Sequence, residues 1–158
     1  MSDKKTVIVS GATYGIGRGI VIDLARRGYA VVGFGLDGRQ PGSAAANGIQ
    51  GTKDALEAEG LSADILEADV SKADAVAGVV AHALGKGGVI HGAVNNAAIR
   101  PSGSVLDTDE ALFDRVVAVN LKGPFLVCRA VIPHMINAGR GAIVNIGSGA
   151  GWGKAGIA

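Results

Sequence analysis

Three short segments carry residue types that could do chemistry. Gly11-Ala12-Thr13-Tyr14-Gly15-Ile16-Gly17 follows the β-branched run Thr6–Ser10 and leads into helical spacing. A glycine-rich turn between a strand and a helix suits an anion: bare backbone can approach it, and the helix N-terminus offers free N–H groups and a positive dipole end. Its spacing is G-x-x-x-G-x-G, not the G-x-G-x-x-G of other dinucleotide folds. The flanking strand and helix favour a dinucleotide pyrophosphate over the alternative, a tight turn without a ligand. Asn95-Asn96-Ala97-Ala98 closes a second apolar run and Gly147-Ser148 a third.

The elements that must position these residues can be read from periodicity. Strands are expected at Thr6–Ser10, Ala30–Gly35, Ser62–Glu67, Val89–Val94 and Ala142–Gly147. Between them lie helical patterns. Gly15–Arg27 places Ile16, Ile20, Leu24 and Arg27 on one side, with Gly28 as its stop. Lys53–Glu59 stops at Gly60. Ser71 looks like the cap of a helix bearing Val76, Val79, Val80, Ala83 and Leu84. Thr108 is expected to cap a long helical region from Asp109 towards Ala138, which Pro124 and Pro133 interrupt or kink. Asp37–Gly51 reads as loop. Five alternations without a hairpin signal predict an α/β fold, a doubly wound parallel sheet with right-handed crossovers and helices on both faces. Val7-Ile8-Val9 fits a strand covered on both sides.

Bulk properties exclude other classes. The 158 residues have the length of one domain and can bury a core. With a net charge of +1 and interspersed signs, no basic stripe points to nucleic acid. No apolar run approaches the ~20 residues of a membrane span, and the polar Met1–Lys5 start is not a signal peptide. A single cysteine, Cys128, suits a reducing cytoplasmic setting. It falls in an apolar pattern with Phe125, Val131 and Ile132, so a buried, inert thiol is expected. His82, His91 and His134 are too scattered to suggest a metal site.

Taken together, the motifs resemble those of the short-chain dehydrogenase/reductase family. Ser10–Gly17 is similar to its Thr-Gly-x-x-x-Gly-Ile-Gly turn, with Ser10 for the threonine. Val94–Ala98 is similar to Asn-Asn-Ala-Gly, with Ala98 for the glycine. Asp69-Val70 resembles the acidic pair that touches the adenine. Val119–Gly123 and Ile143–Ser148 resemble later family segments. The resemblance implies a Rossmann-like strand order of 3-2-1-4-5 and hydride transfer between a nicotinamide and a secondary alcohol or ketone. It implies a cofactor site of Gly11, Thr13, Tyr14, Gly15, Ile16, Gly17, Asp37, Asp69, Val70, Asn95 and Ala97. Asn95 is expected to tie strands together beside that site. Ser148 would orient the substrate oxygen, or else be an exposed strand end. Asn120 would anchor a proton-relaying water, or else bond its own helix backbone. Trp152 lines a substrate pocket or simply packs. A 3-oxoacyl-carrier-protein reductase-like role is one candidate; a non-catalytic nucleotide-binding module is the alternative.

Two further expectations follow from the resemblance. The family's proton donor is a Tyr-x-x-x-Lys pair, in which positive neighbours favour the phenolate. Here Tyr14 precedes Arg18, Tyr29 precedes Gly33, and Ala150 stands four residues before Lys154. The chain is thus expected to be one dinucleotide-binding domain over 1–158, truncated after the fifth strand and inactive alone. Ile143, Val144 and Ile146 would then lie on an uncovered edge, forfeiting about 1.5–3 kcal/mol each, and the long helix would pack on a second subunit of a homo-oligomer in the full-length protein. The cofactor is NAD or NADP. The family position for a ribose carboxylate falls on Gly35, which has none; Asp37 two residues later favours NAD slightly, while Arg39 could pair with a 2′-phosphate.

Overall fold

Thr6–Ser10 (β1) forms the centre of the sheet because its five side chains are all buried. The computed structural model describes residues 4–38 and 48–149. β1 pairs in parallel with Ala30–Gly35 (β2) on one side and Ile90–Asn95 (β4) on the other. Asp64–Glu67 (β3) and Ala142–Asn145 (β5) extend the two flanks, giving the order β3-β2-β1-β4-β5, as the motifs imply. Alternation along β1 divides the core between the two faces. Val7 and Val9 join Val21 of Gly15–Arg26 (α1), Leu56 of Gly48–Glu57 (α2) and Ile65. Ile8 joins Val76, Val80 and Ala83 of Ala73–Gly87 (α3) and Leu126, Val127 and Val131 of Gly123–Asn137 (α5).

Several local expectations are corrected. α2 starts at Gly48, not Lys53, so Gly48–Gly51 is helix and not loop. Ser71 is not a cap: its N–H and hydroxyl both turn back to Asp69 Oδ1, at 2.9 and 2.8 Å. Asp109, not Thr108, caps Glu110–Val117 (α4), accepting the Leu112 N–H at 2.7 Å, while the Thr108 hydroxyl donates to the Ser104 carbonyl. Ile16 is exposed; Val21 takes the buried position in α1. Phe125 and Ile132 are exposed and Cys128 half-buried, because α5 turns Leu126, Val127, Val131 and Met135 to the sheet instead.

Neither proline breaks the long helix. α4 passes into α5 through a π-helical turn, Ala118–Lys122, in which the Gly123 N–H reaches back to the Ala118 carbonyl. The register change coincides with Pro124, whose missing donor is tolerated in the first turn of α5. The composite Glu110–Asn137 helix has 28 residues and a mean hydropathy of 1.5 over its most apolar window, long and apolar enough by composition to cross a membrane. That corrects the expectation of no such run. In this fold its α5 part packs on the core through Leu126, Val127, Val131 and Met135, while α4 buries no residue fully. Of the three apolar side chains expected open, Ile143 of β5 packs against the core, while Val144 of β5 and Ile146 just beyond it are exposed.

At the far edge, β3 is tied to α3 by charge. His82 Nε2 and Lys86 Nζ lie 2.7 and 2.8 Å from Asp64 Oδ2. Burial pushes the Asp64 carboxyl up, but hydrogen bonds from Lys86 and His82, with their charges, outweigh it and hold the group below its ordinary range. A carboxyl lowered on folding adds stability above its unfolded pKa, and that stability is lost as pH falls through the folded value. Asp64→Asn should therefore lower the Tm at pH 7 by about 2 °C. The gap from the parent should close on acidification below about pH 4. A Tm gap that stays constant from pH 7 to pH 3 would contradict this.

Candidate functional site

The C-terminal ends of the strands meet at the point where the order reverses, between β1 and β4, which is where open α/β sheets bind ligands. A cleft of about 360 Å³ opens there. Its floor is the turn from β1 to α1. Gly11 takes φ +67° and passes so close to Ala97 that a Cβ would stand 2.8 Å from the Ala97 Cα. A Cβ on Gly17 would overlap the Gly11 carbonyl oxygen. The turn is folded onto itself in a way no side chain permits.

Two side chains stitch this turn to β4. Ser10, 1% exposed, donates to the Val94 carbonyl and accepts the Asn96 and Ala97 N–H groups at 3.0 and 3.1 Å. The Asn96 amide donates to the Ser10 and Gly11 carbonyls, each at 3.1 Å. From behind, Arg18 donates to the Thr13 carbonyl and to Thr52 of α2, at 2.9 and 3.1 Å. Thr52 Oγ1 in turn lies 3.1 and 3.0 Å from the Ala12 and Thr13 carbonyls. With the carbonyls so engaged, the N–H groups at the start of α1 are left to the cleft. Tyr14 provides no side-chain cap and the first turn of α1 has no acidic residue, so its positive end is uncompensated.

Of the residues expected at the cofactor site, Gly11, Thr13, Tyr14, Gly15, Ile16, Gly17, Asp69, Val70 and Ala97 line the cleft. Asp37 and Asn95 are not among the lining residues. Asp37 accepts the Ile49 N–H. Asn95 is buried, and its amide donates to Asn145 of β5 at 2.8 Å and to Cys128 Sγ. Asp69 remains the charged group of the lining. Burial pushes its carboxyl up, yet the Ser71 N–H and hydroxyl hold it below the usual range.

Asn120 and Ser148 stand outside the lining. Asn120 sits in the π-turn and grips both sides of one residue: Oδ1 accepts the Ile99 N–H and Nδ2 donates to the Ile99 carbonyl, each at 2.9 Å. Its amide thus holds Ile99, the last residue of the Ala97-Ala98-Ile99 stretch that walls the cleft. Ser148 is exposed, two residues past the Ile146 N–H that donates to the Asn95 carbonyl. Arg39 and Trp152 lie outside the described residues. Sequence reading passed over Asn96, Arg18 and Thr52. Asn96 stood beside Asn95 in the motif; Thr52 carried no signal, since its partners lie 39 and 40 residues away in the chain.

The comparisons with known proteins agree over nearly the whole chain. A family model described as short chain dehydrogenase matches residues 5–157. The (2S)-[(R)-hydroxy(phenyl)methyl]succinyl-CoA dehydrogenase subunit BbsD of Thauera aromatica is 34% identical over 152 residues, 96% of this chain and 58% of that protein. A short-chain dehydrogenase/reductase structure from Burkholderia xenovorans superposes with a TM-score of 0.85 at 31% identity, over 98% of this chain and 60% of that one. A substituted actinorhodin polyketide ketoreductase with NADPH gives a TM-score of 0.84 at 30% identity, over 98% and 57%. The chain spans little more than half the length of these relatives.

The closed turn yields a paired test. Gly17→Ala should weaken binding of a nicotinamide dinucleotide at least about tenfold, because the turn must open to admit the methyl group. Gly19, two residues on, has nothing within 4 Å of its Cβ position. Gly19→Ala should leave binding alone and add about 0.5–1 kcal/mol of stability. Titration of cofactor fluorescence with thermal unfolding reads both; equal binding losses in the two variants would refute the steric account.

Proposed function

The chain belongs to the short chain dehydrogenase family of oxidoreductases, and we propose that its protein transfers hydride between NAD or NADP and a secondary alcohol or ketone. The observation that carries the reading is the closed glycine turn under an uncapped helix N-terminus. Gly11 and Gly17 let the turn close onto itself and onto Ala97, and Gly15, at φ +58°, has open space where a Cβ would stand, which fits a pyrophosphate approached by bare backbone. Tyr14, Gly15, Ile16 and Gly17 would hold the pyrophosphate, with Thr13 beneath them. Asp69 and Val70 would meet the adenine, and Ala97 the middle of the dinucleotide. The bound dinucleotide supplies or accepts the hydride.

The remaining chemistry falls to side chains at the strand ends. Ser148 orients the substrate oxygen by a hydrogen bond. Asn120 acts in the proton path while its amide holds the Ile99 peptide. Asn95 is support, tying β4 to β5 through Asn145. A Tyr-x-x-x-Lys pair does not occur in these 158 residues, so turnover above background depends on such a pair being supplied. The named relatives include a (2S)-[(R)-hydroxy(phenyl)methyl]succinyl-CoA dehydrogenase subunit and a polyketide ketoreductase; their names support an alcohol or ketone, and a 3-oxoacyl-carrier-protein reductase-like substrate is one candidate. The protein is read as soluble and cytoplasmic, without nucleic-acid or membrane partners. It is also read as a homo-oligomer in its full-length form. Phe113, Leu121, Phe125 and Ile136 are exposed on the outward side of the long helix, an apolar strip of the kind a second copy covers.

The deciding experiment is titration of the purified 158-residue chain with NADH and NADPH, followed by turnover on a panel of ketones. Binding of at least one dinucleotide without turnover is expected. Failure to bind either sinks the cofactor reading. Turnover that disappears in Ser148→Ala would sink the dependence on a supplied Tyr-x-x-x-Lys pair.

A further inference from the structure

The connection from β2 to α2, residues 36–47, holds one carboxylate, Asp37. A carboxylate in that connection is what bonds the hydroxyls of an adenosine ribose and excludes a 2′-phosphate. Asp37 is placed for a different task. Its Oδ1 accepts the Ile49 N–H at 2.8 Å, one of the donors that the first turn of a helix leaves without an internal partner. Gly48 makes room for it. Gly48 takes φ +81°, and a Cβ there would overlap the Asp37 carboxylate oxygen. The negative charge therefore stands at the positive end of α2, where it is favourable. The end of β2 and the residue after it reach the cleft with Gly35 and Leu36, neither of which carries charge.

We propose that Asp37 is a positioning residue that clips α2 to the end of β2, and that the site in consequence admits a 2′-phosphorylated dinucleotide. The clip bears on the site indirectly: α2 carries Thr52, whose hydroxyl meets the Ala12 and Thr13 carbonyls of the phosphate turn. Specificity at the ribose then depends on the uncharged end of β2, not on the carboxylate two residues beyond the strand. This rests on the dinucleotide reading above.

The test uses equilibrium titration of the full protein with NADH and NADPH, alongside thermal unfolding. The ratio of the NADPH to the NADH dissociation constant should lie below about ten. Asp37→Asn keeps an oxygen acceptor but loses the charge; it should lower the Tm by less than Asp37→Ala does and preserve the ratio. Asp37→Ala should lower the Tm by about 2–4 °C through loss of the cap, again without moving the ratio. Gly35→Asp, which puts a carboxylate on the cleft lining, should raise the ratio about tenfold or more. A parent ratio above about ten, or a fall of about tenfold in Asp37→Asn, would overturn the proposal. So would a Gly35→Asp ratio that does not rise. Binding of neither dinucleotide by the parent is a separate failure: it removes the cofactor reading, and the specificity claim falls with it.

Discussion

The structure depends on a close approach of backbone to backbone at the ends of β1 and β4. Gly11 touches the Ala97 peptide, and the Gly11 carbonyl fills the space a side chain at Gly17 would need. Contacts of this kind bring no hydrophobic gain and need an external hold. Ser10 and Asn96 provide it with hydrogen bonds that cross from one strand end to the other. Both residues are spent on carbonyls and N–H groups that would otherwise be buried unpaired. The result is a braced floor onto which the start of α1, without a side-chain cap, opens.

The elements behind the cleft work as braces. Arg18 and Thr52 bind the Ala12 and Thr13 carbonyls to α2, and α2 is held at its own start by Asp37. On the other side, the π-turn at Ala118–Lys122 brings Asn120 to the Ile99 peptide. A regular helix would rotate residue 120 relative to α4; one extra residue in the turn re-aims it. Pro124 follows at once, so the feature that looks like a helix breaker sits where the hydrogen-bond register already changes.

Strands and the phosphate turn were legible because their signals are local. Thr6–Ser10 and Ala30–Gly35 are apolar runs with turn residues at their ends, and both are found with the expected bounds. The glycine spacing of 11, 15 and 17 carries its own steric meaning. Caps were less legible, since a cap is chosen by which donors come near. Thr108 and Asp109 are equally good cap residues by type; Asp109 caps because Thr108 is drawn to the Ser104 carbonyl. Ser71 lost its expected role to Asp69 for the same reason. The face of α5 was misread because Phe125 and Ile132 are as apolar as the residues that are buried.

By itself the sequence determined the fold class and the position of the glycine turn, because apolar periodicity and missing side chains act within a few residues. The strand order came only as what the resemblance of its motifs to the family implies. Only the tertiary structure decided what each polar side chain does. Asp37 and Asp69 are both carboxylates following strands, yet one caps α2 and the other lines the cleft. Asn95 and Asn96 are neighbours, yet one joins β4 to β5 and the other clasps the β1 turn. A polar group is assigned by the donors and acceptors that the packed backbone leaves unpaired, and those come from segments up to 87 residues apart in the chain.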